Sequence, residues 1–192
     1  QGAVFVEAGL WLRPQWYPRA GEHSWRDSAD REVISTRRSV GVSDVSSLGK
    51  IDVQGDDAAE FLDRIYTNTM STLAVGRVRY GLMLREDGHV MDDGTVARLG
   101  EKHFLVTTTT VNAGHVMAHL DYCHQVHWPE LDVSMVSVTD QFAQFAIAGP
   151  NSRKVLEKLV DKGTKGDGRS GDLSNEAFPF MACAELTVCG GL

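Results

Sequence analysis

The sequence predicts an α+β fold in which helices flank an antiparallel sheet. Three strand-like runs, 77–85, 89–99 and 102–108, follow one another with only short turns between them, and strands joined so closely pair antiparallel. Apolar residues at helical spacing occur on either side of these runs, at 56–66 and 111–126. Consecutive strands between helices are typical of α+β domains, whereas doubly wound domains alternate strand with helix.

The first segment, 1–27, is predicted to be an extended arm. Pro14 and Pro18 interrupt any helix here. The arm also carries large rings that must pack on something: Trp11, Trp16 and Tyr17. Two interpretations stay open, since the rings either pack on the core of this domain or dock on a cofactor or another domain. We expect exposed apolar surface at this arm.

The next elements are a helix, an extended segment and a strand. Asp27 or Ser28 can cap a helix over 28–39, which carries a narrow apolar stripe. An extended segment at 40–46 follows. Residues 50–55 then alternate apolar and polar side chains, as a half-buried strand does.

A second helix begins after Asp56, which is a suitable capping residue. Its apolar side chains recur at spacings of three and four: Phe61, Leu62 and Ile65. We expect these three to be buried, and Asp57 and Asp63 to be exposed.

The C-terminal part predicts two strands at 131–138 and 141–148, a helix at 151–160, a mobile loop at 161–175 and a last strand at 181–188. The expected organisation is therefore an arm, a domain and a remainder, at 1–27, 28–160 and 161–192. Because the chain does not begin with Met, we expect it to be a processed protein or an excised piece of a longer one.

Composition and charge exclude several function classes. The 192 residues are 42% hydrophobic and 23% charged, with a formal net charge of −7. A nucleic-acid binder carries a basic footprint, and a membrane span needs a far longer apolar run than any present. We therefore predict no nucleic-acid partner and no membrane association. The first residues lack a signal-peptide pattern, so we expect a cytoplasmic protein.

Cysteine and histidine residues predict neither a disulfide framework nor a metal site. Cys123, Cys183 and Cys189 are too few and too widely spaced for a zinc motif. His115 and His119 share one helix face, but the segment lacks the Glu of the zinc-protease motif. We interpret it as an amphipathic helix that binds no metal.

The acidic pair Asp92-Asp93 is the most informative local feature. It follows a turn at 85–88 and opens a strand beside Tyr80 and Met83. A carboxylate close to apolar surface is costly to desolvate without a partner, so it is a candidate for binding a polar ligand group or moving a proton. The alternative is that both acids are solvated turn residues.

Spaced motifs over residues 30–190 resemble the glycine cleavage T-protein (aminomethyltransferase) family. The matching positions include the segments 41–51, 61–62, 83–84, 92–93 and 148–152 and the single residues Gly55, Ala58, Asn68, Leu73, Gly76, Tyr80 and Gly88. Because several motifs occur in the correct order, the resemblance is specific.

This resemblance implies a ferredoxin-like folate-binding module, part of a cloverleaf of domains around a tetrahydrofolate channel. It implies that Asp92 contacts folate near its reactive nitrogens and is catalytic, and that Tyr80 and Met83 line the pterin pocket. The chain ends before a further folate-contacting motif of the family, so we expect half of a folate site.

The aromatic arm and the segments 66–68 and 79–88 are more similar still to the C-terminal half of sarcosine oxidase alpha subunits. That resemblance implies capture of the one-carbon unit from sarcosine as 5,10-methylenetetrahydrofolate. It also implies FAD, FMN and NAD in the full enzyme, though not in this piece, and beta, gamma and delta subunits as partners. Two alternatives stay open: a stand-alone aminomethyltransferase, and a non-catalytic assembly module.

Overall fold

The structure, a computed structural model, describes residues 2–161, 165–166 and 169–190. These residues form two compact units. The sheet unit contains residues 48–142 and 178–184. The hairpin unit contains the described residues of 1–47, 143–177 and 185–192.

A five-stranded antiparallel sheet is the centre of the sheet unit, with strand order β5-β6-β7-β4-β8. Its strands are β4 (Gly49–Gln54), β5 (Arg77–Leu84), β6 (Val90–Gly100), β7 (His103–Thr108) and β8 (Ser134–Ser137). Two helices accompany it, α2 (Ala58–Ile65) and α3 (Ala113–Tyr122), and α3 continues into a π-helical turn at Cys123–His127. A 3-10 turn at Thr139–Gln141 follows β8.

The hydrophobic core lies between one face of this sheet and the helices α2 and α3. Phe61 and Leu62 of α2, Leu120 of α3 and Val53 and Phe104 of the sheet are fully buried in one cluster. We call this side of the sheet the helix face, and the other side the open face. Because side chains alternate along a strand, neighbouring residues belong to different faces.

The described residues of the hairpin unit form three strand pairs and two helices. Its elements are β1 (Val4–Ala8), β2 (Trp11–Trp16), α1 (Trp25–Arg38), β3 (Gly41–Asp44), β9 (Phe145–Ala148), α4 (Ser152–Leu159), β10 (Lys165–Gly166) and β11 (Arg169–Ser170). The antiparallel pairs are β1 with β2, β3 with β9 and β10 with β11.

Helix α1 begins at a capping box centred on Ser24. The Ser24 hydroxyl accepts from the Asp27 amide at 3.3 Å, and the Asp27 carboxylate accepts from the Ser24 amide at 3.0 Å. The helix therefore starts three residues before the predicted position. Ser28, one of the predicted caps, is instead fully buried and donates to Glu22.

The α+β class and the central antiparallel sheet are confirmed, with α2 and α3 close to their predicted positions. The predicted arm forms the hairpin β1–β2 rather than one extended segment. Of its rings, Trp11 and Tyr17 are exposed and Trp16 is half-buried.

Predicted boundaries fail mainly after residue 130. The strand expected at 141–148 shrinks to β9, which pairs with β3 outside the central sheet. The strand expected at 181–188 makes isolated bridges at Ala182 and Val188. Part of the predicted mobile loop at 161–175 lies outside the described residues.

Phe61, Leu62 and Ile65 are buried, as predicted, but Asp57 and Asp63 are half-buried rather than exposed. The Asp63 carboxylate accepts from the backbone amides of Met70 and Ser71. Asp57 accepts from the Asp132 amide at 2.8 Å. Both acids are partly withdrawn from water because they satisfy loop amides that would otherwise lack a partner.

Candidate functional site

Asp92 lies on the helix face of β6, opposite Met83 of β5. Its side chain is 3% exposed. One carboxylate oxygen accepts from the Thr109 amide at 3.0 Å; the other accepts from the Thr109 hydroxyl at 2.7 Å and the Asn112 amide group at 3.2 Å. Three donors compensate the loss of water around this buried acid. Asp92 thereby ties β6 to the start of α3.

Tyr66 is also buried close to this acid. Its hydroxyl is buried without a hydrogen-bond partner among the described residues. Burial, and secondarily the charge of Asp92, raise the pKa of Tyr66 well above its usual range. Gly81 makes room for the ring, because a Cβ at this position would come within 2.6 Å of Tyr66 Cδ1.

Asp93 points to the open face, where it meets Tyr80. The Tyr80 hydroxyl donates to Asp93 Oδ2 at 2.6 Å. That hydrogen bond is the main reason that the pKa of Tyr80 is raised. The Tyr80 side chain is 49% exposed and Asp93 is half-buried. A ring and a carboxylate are thus presented together to the surroundings.

The expectation that Tyr80, Met83 and Asp92 line one cleft is wrong. Tyr80 and Met83 are three residues apart in one strand, an odd spacing that places them on opposite faces. Met83 is 1% exposed and packs in the core. The structure therefore pairs Met83 with Asp92 on the helix face, and Tyr80 with Asp93 on the open face.

Mostly apolar side chains surround the Tyr80–Asp93 pair on the open face. Register and alternation place Val78, Leu82 and Ala97 there, together with the polar Thr95. A mostly apolar surface with one carboxylate and one phenol is suited to a planar heterocycle that carries N–H donors.

The sequence indicates the acidic pair but not which of its members faces the open side. The pair itself gives no indication of the two residues that bond Asp92, Thr109 and Asn112. The run of four threonines at 107–110 before a helix could have pointed to these residues. Short polar side chains at the start of a helix commonly form hydrogen bonds with nearby backbone groups.

The His-rich helix was predicted to bind no metal. In the described ranges, no group of three or more His, Cys, Asp or Glu residues could hold a metal ion. His119 lies 3.6 Å from the Cys123 sulfur. Burial lowers the pKa of His119 and raises the pKa of Cys123, so both are driven toward their neutral forms.

A groove of about 450 Å³ lies near the β8 edge of the sheet, at the opposite end of the strand order from β5. Its lining residues are Asp52, Gln54, Gly55, Ser134, Met135 and Val136. None of the predicted site residues contributes to it, so this groove is separate from the Tyr80–Asp93 pair.

Comparison with known proteins establishes the family. A model of the GCVT N-terminal domain matches residues 1–191. The chain belongs to this family. A solved structure, the glycine cleavage system aminomethyltransferase T from Bartonella henselae, is similar with a TM-score of 0.71 and 26% identity, over 86% of this chain and 41% of the other. The predicted family and fold are thereby confirmed.

Curated relatives of this GCVT-domain chain include two sarcosine oxidase alpha subunits. The chain is 55% identical to that of Rhizobium meliloti (strain 1021) over 99% of its length, and 47% identical to that of Corynebacterium sp. (strain U-96) over 100%. It spans 18% and 19% of these relatives. It is 31% identical to an aminomethyltransferase of Thermotoga neapolitana, over 87% of this chain and 42% of the relative.

Proposed function

We propose that this chain is the folate-binding module of a sarcosine oxidase alpha subunit. Identities of 55% and 47% over almost the whole chain support that assignment. In this proposal the module binds tetrahydrofolate and captures the one-carbon unit from sarcosine as 5,10-methylenetetrahydrofolate. Since the chain spans about a fifth of those relatives, FAD, FMN and NAD would be bound by other parts of the full enzyme.

The Tyr80–Asp93 pair is the structural observation that best supports folate binding. A pterin is flat and carries N–H donors, so its ring can stack beside Tyr80 while a carboxylate oxygen of Asp93 accepts a hydrogen bond. Tetrahydrofolate supplies the two amine nitrogens that hold the one-carbon unit. Capture on a bound acceptor would outrun release, because the reactants are held together.

The two adjacent acids have different roles in this proposal. Asp93, on the open face, orients the ligand and accepts the proton that an amine loses as the one-carbon bridge closes. Tyr80 holds Asp93 in place through its 2.6 Å hydrogen bond. Asp92, first predicted as the catalytic acid, is proposed as a positioning residue, since its oxygens already accept three hydrogen bonds.

Matched variants of the two acids test this assignment in the full enzyme. Asp93→Asn keeps the size but removes the base, and we expect it to slow formation of methylenetetrahydrofolate by about 10²-fold or more. Flavin reduction by sarcosine should stay unchanged. Asp92→Asn should lower the free energy of unfolding by about 1–3 kcal/mol, because buried donors lose a charged acceptor. Asp30→Asn is the control, as Asp30 is exposed on α1.

Two other results would contradict this assignment of the acids. If Asp92→Asn abolishes folate coupling while its stability is unchanged, Asp92 faces the ligand as the family resemblance implied. If both variants couple normally, neither acid takes part in the folate chemistry and the assignment of Asp93 is wrong. Folate affinity by fluorescence titration, measured beside coupling, separates lost binding from lost chemistry.

A stand-alone aminomethyltransferase is the second candidate, supported by 31% identity to such an enzyme. Turnover decides between the two, since an oxidase consumes sarcosine and an electron acceptor, whereas an aminomethyltransferase needs neither.

Partners and location follow from the same proposal. The relatives are named as subunits, which implies a multi-subunit enzyme, and we propose beta, gamma and delta subunits as its partners. Across the described residues, none of the helices combines the length and apolar character of a membrane span. We propose that the enzyme is cytoplasmic.

A further inference from the structure

The two edge strands of the central sheet differ in the backbone hydrogen bonds along their outer sides. Strand β5 forms one edge, and other parts of the chain cover it: the Thr67 amide donates to the Leu82 carbonyl at 3.0 Å, and the Val78 amide donates to the Met181 carbonyl at 2.8 Å. Strand β8 forms the other edge and pairs only with β4. Within the described chain, no backbone hydrogen bond reaches the outer side of β8.

The register identifies which backbone groups of β8 point outward. The Val138 amide donates to the Lys50 carbonyl at 2.9 Å, so this pair is a hydrogen-bonded one. Hydrogen-bonded and non-hydrogen-bonded pairs alternate along an antiparallel ladder. Met135 and Ser137 therefore direct their N–H and C=O groups away from β4, and their spacing matches the repeat of an added strand.

Strand β8 is short, at four residues, but it carries none of the other devices that usually protect a sheet edge. It includes no charge and no proline, and its pairing with β4 shows no bulge. Val136 on the open face is 52% exposed. The groove of about 450 Å³ runs beside it, so side chains of an added strand would find space there.

The surroundings of β8 are acidic. The sequence contains no Lys or Arg between Lys102 and Arg153. Two exposed acids, Asp132 and Asp140, flank the strand. The nearby cation Lys102 is paired with Asp56 and acts only secondarily on Asp132, so the surroundings of β8 keep an excess of negative charge.

This charge pattern argues against a second copy of the chain as the occupant. In an antiparallel pairing of β8 with itself, Asp132 of one copy would lie close to Asp140 of the other. Like charges placed opposite each other across a strand pair are destabilising. A basic strand would instead gain from both carboxylates.

We propose that the outer edge of β8 binds an extended, basic segment of a partner polypeptide, which adds to the sheet as a sixth strand. The outward groups of Met135 and Ser137 pair with its backbone. Its Lys or Arg side chains lie near Asp132 and Asp140, and an apolar side chain covers Val136. This surface is separate from the Tyr80–Asp93 pair and does not depend on folate binding.

A labelled synthetic peptide tests the proposal with the full chain. The probe has about eight residues, a common strand length, with lysine alternating with threonine and valine, and its binding is followed by fluorescence anisotropy. Ser137→Pro removes an outward donor but leaves the ladder with β4 intact, and should weaken binding about fivefold or more. Ser137→Ala, which keeps the N–H, should bind as the unmodified chain does.

A second variant and a second peptide guard against a folding artefact. Asp140→Lys leaves the backbone unchanged and should weaken binding of the basic peptide several-fold at low salt. A peptide with glutamate in place of lysine should bind at least tenfold more weakly than the basic one. Circular dichroism checks that each variant is folded.

Three outcomes would overturn the proposal. The first is no binding of the basic peptide at millimolar concentration. The second is equal binding by Ser137→Pro and Ser137→Ala. The third is a dimer of the free chain in analytical ultracentrifugation that Ser137→Pro dissociates, because a second copy would then occupy the edge.

Discussion

Adjacent residues in a strand have unlike chemistry here, as Asp92 and Asp93 demonstrate. Asp92 is buried and bonded to Thr109 and Asn112, whereas Asp93 meets the half-exposed Tyr80. The sequence identified the pair as informative but not which acid faces a ligand. That choice depends on which side of the sheet the helices cover, and a tertiary contact of this kind leaves little trace in a local pattern.

Gly94, which follows the pair, is predicted to leave no room for a larger side chain. A Cβ at Gly94 would overlap the Thr107 carbonyl oxygen of the neighbouring strand, and a backbone atom in a sheet cannot move aside. We expect Gly94→Ala to lower the free energy of unfolding by about 1–3 kcal/mol, as overpacking does. Urea denaturation measures this.

Gly100 in the same strand offers a matched control. A Cβ there would meet His103 Cβ at 3.5 Å, an ordinary contact, so Gly100→Ala should be close to neutral. Equal destabilisation by both substitutions would contradict the explanation by close approach.

At the scale of elements, Glu22 joins helix α1 to the turn before it. Its carboxylate accepts from Ser28 at 2.6 Å, from the Arg19 amide at 2.9 Å and from Arg31 at 2.5 Å. The hydrogen bond from Arg31 and the one from Ser28 are the largest causes that lower the pKa of Glu22 from 4.5 to about 2.

The lowered pKa predicts a specific pH dependence. The folded state favours the charged form, so the contribution of Glu22 to stability is fully present above pH 4.5 and is lost as the pH falls toward 2. We expect Glu22→Gln to unfold at lower urea concentration than the unmodified chain at pH 7, and the difference to shrink at pH 3. Glu7→Gln, at an exposed position of β1, should behave as the unmodified chain does at both pH values.

The elements that the sequence predicted well are those with strong local patterns. Helix α2 carries Phe61, Leu62 and Ile65 at helical spacing, and its position was close to correct. The hairpin β1–β2 was missed, because Pro14 argued against regular structure although proline is tolerated in an exposed strand. The pairing of β3 with β9 joins residues about 100 positions apart, so a local sequence pattern cannot predict it.

At the scale of the whole molecule, the two units bury very different amounts of apolar surface. All residues of the main core cluster belong to the sheet unit. In the described part of the hairpin unit, the buried side chains are Ser28, Ser47, Val160 and Leu173. A two-stranded hairpin such as β1–β2 is marginal without further packing.

Hydrogen exchange should report this difference. We expect amides in β4, β6 and β7 to exchange at least about 10²-fold more slowly than those in β1 and β2, after correction for intrinsic rates, because core strands open only in global unfolding. Mass spectrometry of the 192-residue chain measures both sets together. Equal protection in the two units would show that the hairpin is as stably folded as the core.

The cover over strand β5 has a consequence for synthesis of the protein. The Val78 amide donates to the Met181 carbonyl, and the Cys183 amide donates to the Gly76 carbonyl. In each hydrogen bond the two partners are synthesised about 100 residues apart. At the usual rate of about 5–20 residues per second, the ribosome delivers the second partner about 5 to 20 s after the first. During those seconds, neighbouring nascent chains on the same messenger can reach the unfinished strand, and a chaperone that binds there has that interval in which to act.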